Sequence, residues 1–249
     1  MTLQEQAAAL DRDDPLRSIQ DAFDLPEGKV YLDGNSLGAL PHCVGERVQD
    51  VVEQQWGRDL ITSWNAHDWV NLPLQVGEKI APLVGAAPGQ VICCDSISVN
   101  LFKLLATALA LRSPRRVILT CAGDFPTDAY MGQGLQTLLG AERCEMRAVA
   151  AENLADALDD SVAVLMLTEV DFRIGARHDM RALTAAAHDC GALVLWDLAH
   201  SAGAIPVALD DCAVDMAVGC GYKFLNGGPG APAFLYLAGQ HQDRVVQPL

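Results

Sequence analysis

Lys223 lies just past the apolar run Met216-Ala-Val218, in a loop with glycines at 221, 227, 228 and 230. The run reads as a buried strand. Lysine usually stays at the surface, but one desolvated at a strand end becomes a usable amine nucleophile or base. A second apolar run, Leu193-Val-Leu-Trp196, is closed by Asp197, with His200 three residues on. A carboxylate there is costly to bury without a cationic partner. A strand-end acid and, one strand later, a strand-end amine form the pair that pyridoxal 5'-phosphate needs. The lysine makes the Schiff base, and the carboxylate keeps the pyridine nitrogen protonated so that the ring accepts electrons.

Other residues could complete such a site. Asp95-Ser-Ile-Ser98 precedes an apolar helix. Ser98 is either an ordinary helix cap or part of a phosphate seat made by free amides, hydroxyls and the helix dipole. Phe125, beside Pro126 and Thr127, either lies on a cofactor ring or belongs to the core. Asp128 either caps its helix or bonds a ring hydroxyl, and Thr168 ends the strongest strand. His200 is either structural or a neighbour of the ring. Asp197 with His200 offers no third ligand at metal spacing, so no metal is expected.

Positioning these groups requires a sheet. From Val91 onward, apolar runs alternate with helical segments: 91–94, 117–120, 145–149, 162–167, 193–196, 216–218 and 234–237. Fully apolar strands separated by helices predict an α/β fold with a mostly parallel sheet covered on both faces. Ligands of such sheets sit outside the carboxyl ends of the strands. Ser98, Asp128, Thr168, Asp197, His200 and Lys223 all fall at or just past such ends. Before this region, two short helices break at Asp13-Asp14-Pro15 and form an N-terminal arm, and Lys29-Val-Tyr-Leu32 reads as a strand. A helix from Pro41 is expected to bury Val44, Val48, Val51 and Val52 on one face. The segment 61–69, with Trp64, His67 and Trp69, is a substrate wall, an interface or plain packing.

The 249 residues carry 17 basic and 32 acidic side chains, a net charge of −15. That balance argues against nucleic-acid or anionic-membrane partners. The cysteines at 43, 93, 94, 121, 144, 190, 212 and 220 form no C-x-x-C pair. They read as reduced thiols. With no signal peptide or membrane span apparent, a cytoplasmic protein is expected.

Four stretches together resemble the kynureninase family: Tyr31-Leu-Asp-Gly-Asn-Ser-Leu-Gly38, Phe125-Pro-Thr-Asp128, Trp196-Asp-Leu-Ala-His-Ser-Ala-Gly203 and Tyr222-Lys-Phe-Leu-Asn-Gly-Gly-Pro-Gly230. The likeness covers roughly residues 25–249. It implies an aspartate-aminotransferase-like (fold type I) large domain over 46–249, with an arm and part of a small domain over 1–45. It also implies a homodimer with a shared active site and a small amino-acid substrate. Lys223 would carry the pyridoxal-phosphate aldimine and Asp197 would pair with the pyridinium nitrogen. Phe125 would stack on the ring. Ile97, Ser98, Pro126, Thr127, Asp128, Thr168, His200 and Tyr222 would complete the site, Tyr222 as proton donor or phosphate ligand. The implied reaction is hydrolysis of L-kynurenine or 3-hydroxykynurenine to L-alanine and an anthranilate, with Lys223 taking the Cα proton.

Two departures accompany the likeness. Asp171 and Phe172 stand in Thr168-Glu-Val-Asp-Phe-Arg-Ile-Gly175, where the family usually has Val-Asn-Tyr. The sequence also ends before the family's Gly-Trp-rich motif and its C-terminal small domain, which supplies a substrate-gripping arginine. The alternatives are therefore a weak or inactive cofactor-binding, dimerising chain, or another lyase of this fold such as a cysteine desulfurase.

Overall fold

The computed structural model describes residues 1–245. Within 246–249 nothing is described, so the end of the 46–249 segment lies outside the described residues. The chain begins with helix α1 (Leu3–Asp13), capped by Thr2, whose hydroxyl accepts from Glu5 N while the Glu5 carboxylate accepts from Thr2 N. This reciprocal pair satisfies two of the orphan amides of a helix start. A 3₁₀ turn (Arg17–Ala22) leads to β1 (Phe23–Asp24), which pairs antiparallel with β2 (Leu40–Pro41).

Helix α2 (Cys43–Asp50) continues through a π-helical stretch (Val51–Trp56) into the short helices α3 (Gly57–Asp59) and α4 (Ser63–Ala66). Then α5 (Leu72–Ile80) packs on β3 (Val91–Cys93). The remaining elements are α6 (Ile97–Leu111), β4 (Val117–Cys121), α7 (Pro126–Leu139), β5 (Glu145–Val149), β6 (Val162–Thr168), α8 (Met180–Asp189), β7 (Leu193–Asp197), β8 (Met216–Cys220), β9 (Ala233–Leu237) and α9 (Gly239–Gln242).

Seven strands form one sheet in the order β3-β9-β8-β7-β6-β4-β5. β4 to β8 run parallel, and β9 is antiparallel to both of its neighbours. β3 therefore shares the direction of β8, and its carboxyl end opens on the same rim as Asp197.

Side-chain alternation along each strand splits the core in two. Val117, Leu119, Leu165, Leu167, Val194 and Trp196 face α8 and the end of α5. Ile118, Val164, Met166, Leu195, Met216 and Val218 face α6 and Leu135 of α7. Strands buried on both faces explain the continuous apolar runs.

The N-terminal region differs from expectation in two places. Lys29–Leu32 is not a strand; no sheet edge meets it, and Val30 and Leu32 are 86% and 87% exposed. The short pairing falls instead to Phe23–Asp24 with Leu40–Pro41. The helix after Pro41 forms, but Val48 and Val52 are 55% and 48% exposed. Val44 and Val51 on the same face are half-buried, so the expected burial is met on one side of the helix only.

The Asp33–Gly38 loop docks on the segment holding Lys223. Gly38 N donates to Tyr222 O at 2.9 Å. A Cβ on Gly38 would meet Lys223 O at 2.2 Å and Asn226 Oδ1 at 2.3 Å, so only glycine permits this approach.

Candidate active site

The carboxyl ends of β3, β4, β7 and β8 surround a cleft of about 190 Å³. Ile97, Ser98, Phe125, Thr127, Asp128, Asp197, His200, Tyr222 and Lys223 all line it. Pro126 is set back in the first turn of α7, where its missing N–H costs nothing. Thr168 is also set back. Its register partner is Asp197, and its hydroxyl donates to Asp124 Oδ1 at 3.0 Å.

Lys223 is 8% exposed. Its Nζ lies 2.9 Å from His200 Nε2, 5.8 Å from the Tyr222 ring centroid and 5.9 Å from that of Phe125. Burial, and then the Lys223 charge, push the His200 imidazole below its usual range. A neutral ring accepts at Nε2, so the ammonium of Lys223 donates and Nδ1 keeps the imidazole proton.

Asp197 is 4% exposed and Asp128 2%. Ala199 N donates to Asp197 Oδ1 at 2.8 Å, whereas Asp128 Oδ1 is buried without a hydrogen-bond partner. Burial, followed by the Asp197 charge, pushes Asp128 up to about 9. Burial also raises Asp197. Two buried carboxylates side by side share a proton rather than both ionise. The arrangement favours a ligand that brings positive charge and hydrogen-bond donors.

On the β3 side, Ser96 caps α6, its hydroxyl accepting from Val99 N. The next residues, Ile97 and Ser98, line the cleft in the first turn of α6, whose amides lack helical partners. This 15-residue helix places its positive dipole end there, a seat for an anion. Asp95 would oppose an anion, but its carboxylate is paired with Lys103 Nζ at 2.6 Å.

Phe172 touches the site that its neighbours form. Its ring meets Phe125 edge-to-face at 5.2 Å, with the Arg173 guanidinium carbon 5.7 Å from the Phe172 centroid. Asp171 holds Arg173 at 2.9 Å and accepts from Arg173 N and Ile174 N. The unusual Asp171-Phe172 pair therefore backs Phe125. Phe172→Ala is expected to weaken cofactor binding about 3- to 10-fold, the scale of one aromatic contact. Titrating the cofactor into stripped protein checks this, and an unchanged affinity would make the contact incidental.

Ser96, in the stretch read as a phosphate seat, also lines the cleft, whereas sequence reading missed Ala199, Cys220, Ala231 and Ala233. These small residues carry no clear signal in sequence: Ala199 follows β7 and Cys220 ends β8, while Ala231 and Ala233 enter because β9 folds back beside β8.

The family model described as "Aminotransferase class-V" matches residues 30–245. A curated relative named kynureninase from Burkholderia pseudomallei is 51% identical over the whole chain, which spans 61% of that relative's length. One from Deinococcus radiodurans is 54% identical over 96% of the chain and 59% of its own length. Among solved structures, an apo cysteine desulfurase from Thermococcus onnurineus superposes with a TM-score of 0.74 at 18% identity, covering 93% of this chain and 59% of that one. A cystine C–S lyase complex superposes with a TM-score of 0.72 at 18% identity, over 88% and 60%. These structural likenesses show the same fold. With a match across nearly all of its described residues, the chain belongs to the class-V aminotransferase family.

Proposed function

We propose that this chain carries most of the active site of a pyridoxal-5'-phosphate-dependent kynureninase. In that role it hydrolyses the Cβ–Cγ bond of L-kynurenine or its 3-hydroxy form to L-alanine and an anthranilate. The observation that carries the reading is the cleft itself, where one buried amine, Lys223, and two buried, proton-sharing carboxylates, Asp128 and Asp197, line the same small space. The identity to curated kynureninases, with the matching stretches around Lys223 and Asp197, supports it.

The residues present fit the cofactor. Asp197 would meet the protonated ring nitrogen, and the unpartnered oxygen of Asp128 is free to accept from a further ring donor. Phe125 offers an aromatic face, while Ile97 and Ser98 offer amides to the phosphate. Lys223 would anchor the cofactor covalently. When bound, pyridoxal phosphate supplies an electron sink for charge developing at the substrate carbons. Lys223 Nζ then moves the proton at the substrate Cα. His200, neutral and 2.9 Å away, accepts a hydrogen bond from that amine and fixes its direction. The Tyr222 hydroxyl, held above its usual range by burial, stays protonated as a donor in the cleft.

In this reading, residues 1–45 form an arm that contributes to a small domain, and the chain works as a homodimer. The exposed Val30, Leu32, Trp56 and Ile61 are in keeping with a covering partner. The test is a substrate panel of L-kynurenine, 3-hydroxykynurenine and cysteine, with anthranilate release followed by fluorescence. Anthranilate and alanine in equal amounts are expected. Sulfur release from cysteine without anthranilate would favour a desulfurase, and bound cofactor without any product an inactive binding module.

A further inference from the structure

A cluster that does not line the cleft is left unused by the reaction above. Cys121 ends β4, Asp124 follows in the loop to α7, and His178 comes from the loop after β6. One potential ligand atom from each lies within 4.8 Å of the other two. We propose that Cys121, Asp124 and His178 form a binding site for a borderline-soft divalent cation, zinc foremost, with the fourth position open to water.

The donor set suits that ion. Thiolate sulfur, imidazole nitrogen and carboxylate oxygen are the three ligand types zinc takes, and three protein ligands plus water is a recurrent coordination. Tetrahedral zinc would hold these atoms about 3.3–3.6 Å apart, a closure that side-chain torsions can supply.

The backbone under each ligand is already fixed. Asp124 N donates to Cys121 O at 3.2 Å, closing a turn through Gly123 that lays Asp124 over Cys121. The Thr168 hydroxyl holds the Asp124 carboxylate at 3.0 Å, a supporting contact of the kind that orients metal ligands. His178 N donates to Glu169 O at 3.0 Å, and an antiparallel bridge between Val170 and Arg177 pins the loop.

The charges also balance. Arg173 lies beside Gly123 but is neutralised by Asp171 at 2.9 Å. The Asp124 carboxylate and the Cys121 thiolate are left to offset a dication. Binding forms one bond each from sulfur, oxygen and nitrogen to the metal and releases the thiol proton to solvent, with no change of oxidation state. It would tie the β4–α7 loop and the first turn of α7, which present Phe125, Thr127 and Asp128 to the cleft, to the loop that carries Phe172.

The experiment uses reduced, chelator-treated holoprotein and zinc alone. Calorimetry should give one site per chain, and zinc-edge X-ray absorption should show one sulfur ligand with nitrogen or oxygen neighbours. Cys121→Ser should remove the sulfur shell, and His178→Gln should weaken binding by about 100-fold or more. Cys94→Ser should change neither. His178 sits in a surface loop, so its variant keeps the proposal testable if Cys121→Ser misfolds. A sulfur shell that survives Cys121→Ser, or full affinity in His178→Gln, would overturn the proposal, as would the absence of any stoichiometric binding.

Discussion

Lys223→Ala is expected to abolish the borohydride-reducible visible absorbance of the cofactor-loaded protein. It should also cut turnover by at least about 10³-fold, the scale of removing a positioned base that doubles as the covalent anchor. The alternatives within the chain are few. Lys103 is committed to Asp95 at 2.6 Å, Lys79 lines a separate apolar crevice, and Lys29 precedes the exposed Val30–Leu32 segment. Only Lys223 lines the cleft with Asp197. The substitution leaves His200 Nε2 at a solvent-reachable wall, where water can replace the lost donor, so the fold should persist. A variant that kept the reducible band would place the anchor elsewhere and remove the basis for assigning this cleft.

The sheet was legible from Val91 onward because its strands are buried on both faces. Uninterrupted runs such as Val162–Leu167, short and bounded by the polar Asp159-Asp-Ser161 and Thr168-Glu169, read as buried strands. The rim was legible for the same reason, since a polar residue ending such a run, as Asp197 does, must face whatever lies beyond the sheet. What escaped depends on partners distant in sequence. The alternation of Val44, Val48, Val51 and Val52 describes a face correctly but says nothing of whether a cover is present. Strand β9 reverses direction and inserts between β3 and β8, which periodicity alone does not encode. The proximity of Asp128 to Asp197 joins the first turn of α7 to the end of β7, 69 positions apart. Cys121 and Asp124 share one turn after β4, but His178 reaches them from a loop 54 residues later, so the set of three has no signature in the sequence.

Asp197→Asn is expected to separate function from stability. On the proposed function, the carboxylate would keep the cofactor ring nitrogen protonated and a neutral amide would not, so turnover should fall by about 10²-fold or more. In the cofactor-free protein the same carboxylate is a burden. It is buried beside Asp128, and both groups sit above the ordinary carboxylate range, Asp128 at about 9. A carboxyl whose folded pKa exceeds its unfolded value makes the folded chain bind more protons than the unfolded one. Stability is then fully present below about pH 4 and is lost as pH rises through about 9. Removing the Asp197 charge relieves the repulsion on Asp128 and flattens that loss. The unfolding free energy of the cofactor-free variant in urea should exceed the parent's by about 1 kcal/mol near pH 8, with a smaller gap near pH 5. Near-normal turnover would exclude Asp197 as the partner of the ring nitrogen. A pH slope identical to the parent's would mean that the two carboxylates do not share a proton, leaving the paired acids without the energetic cost that marks this cleft as built for a cationic ligand.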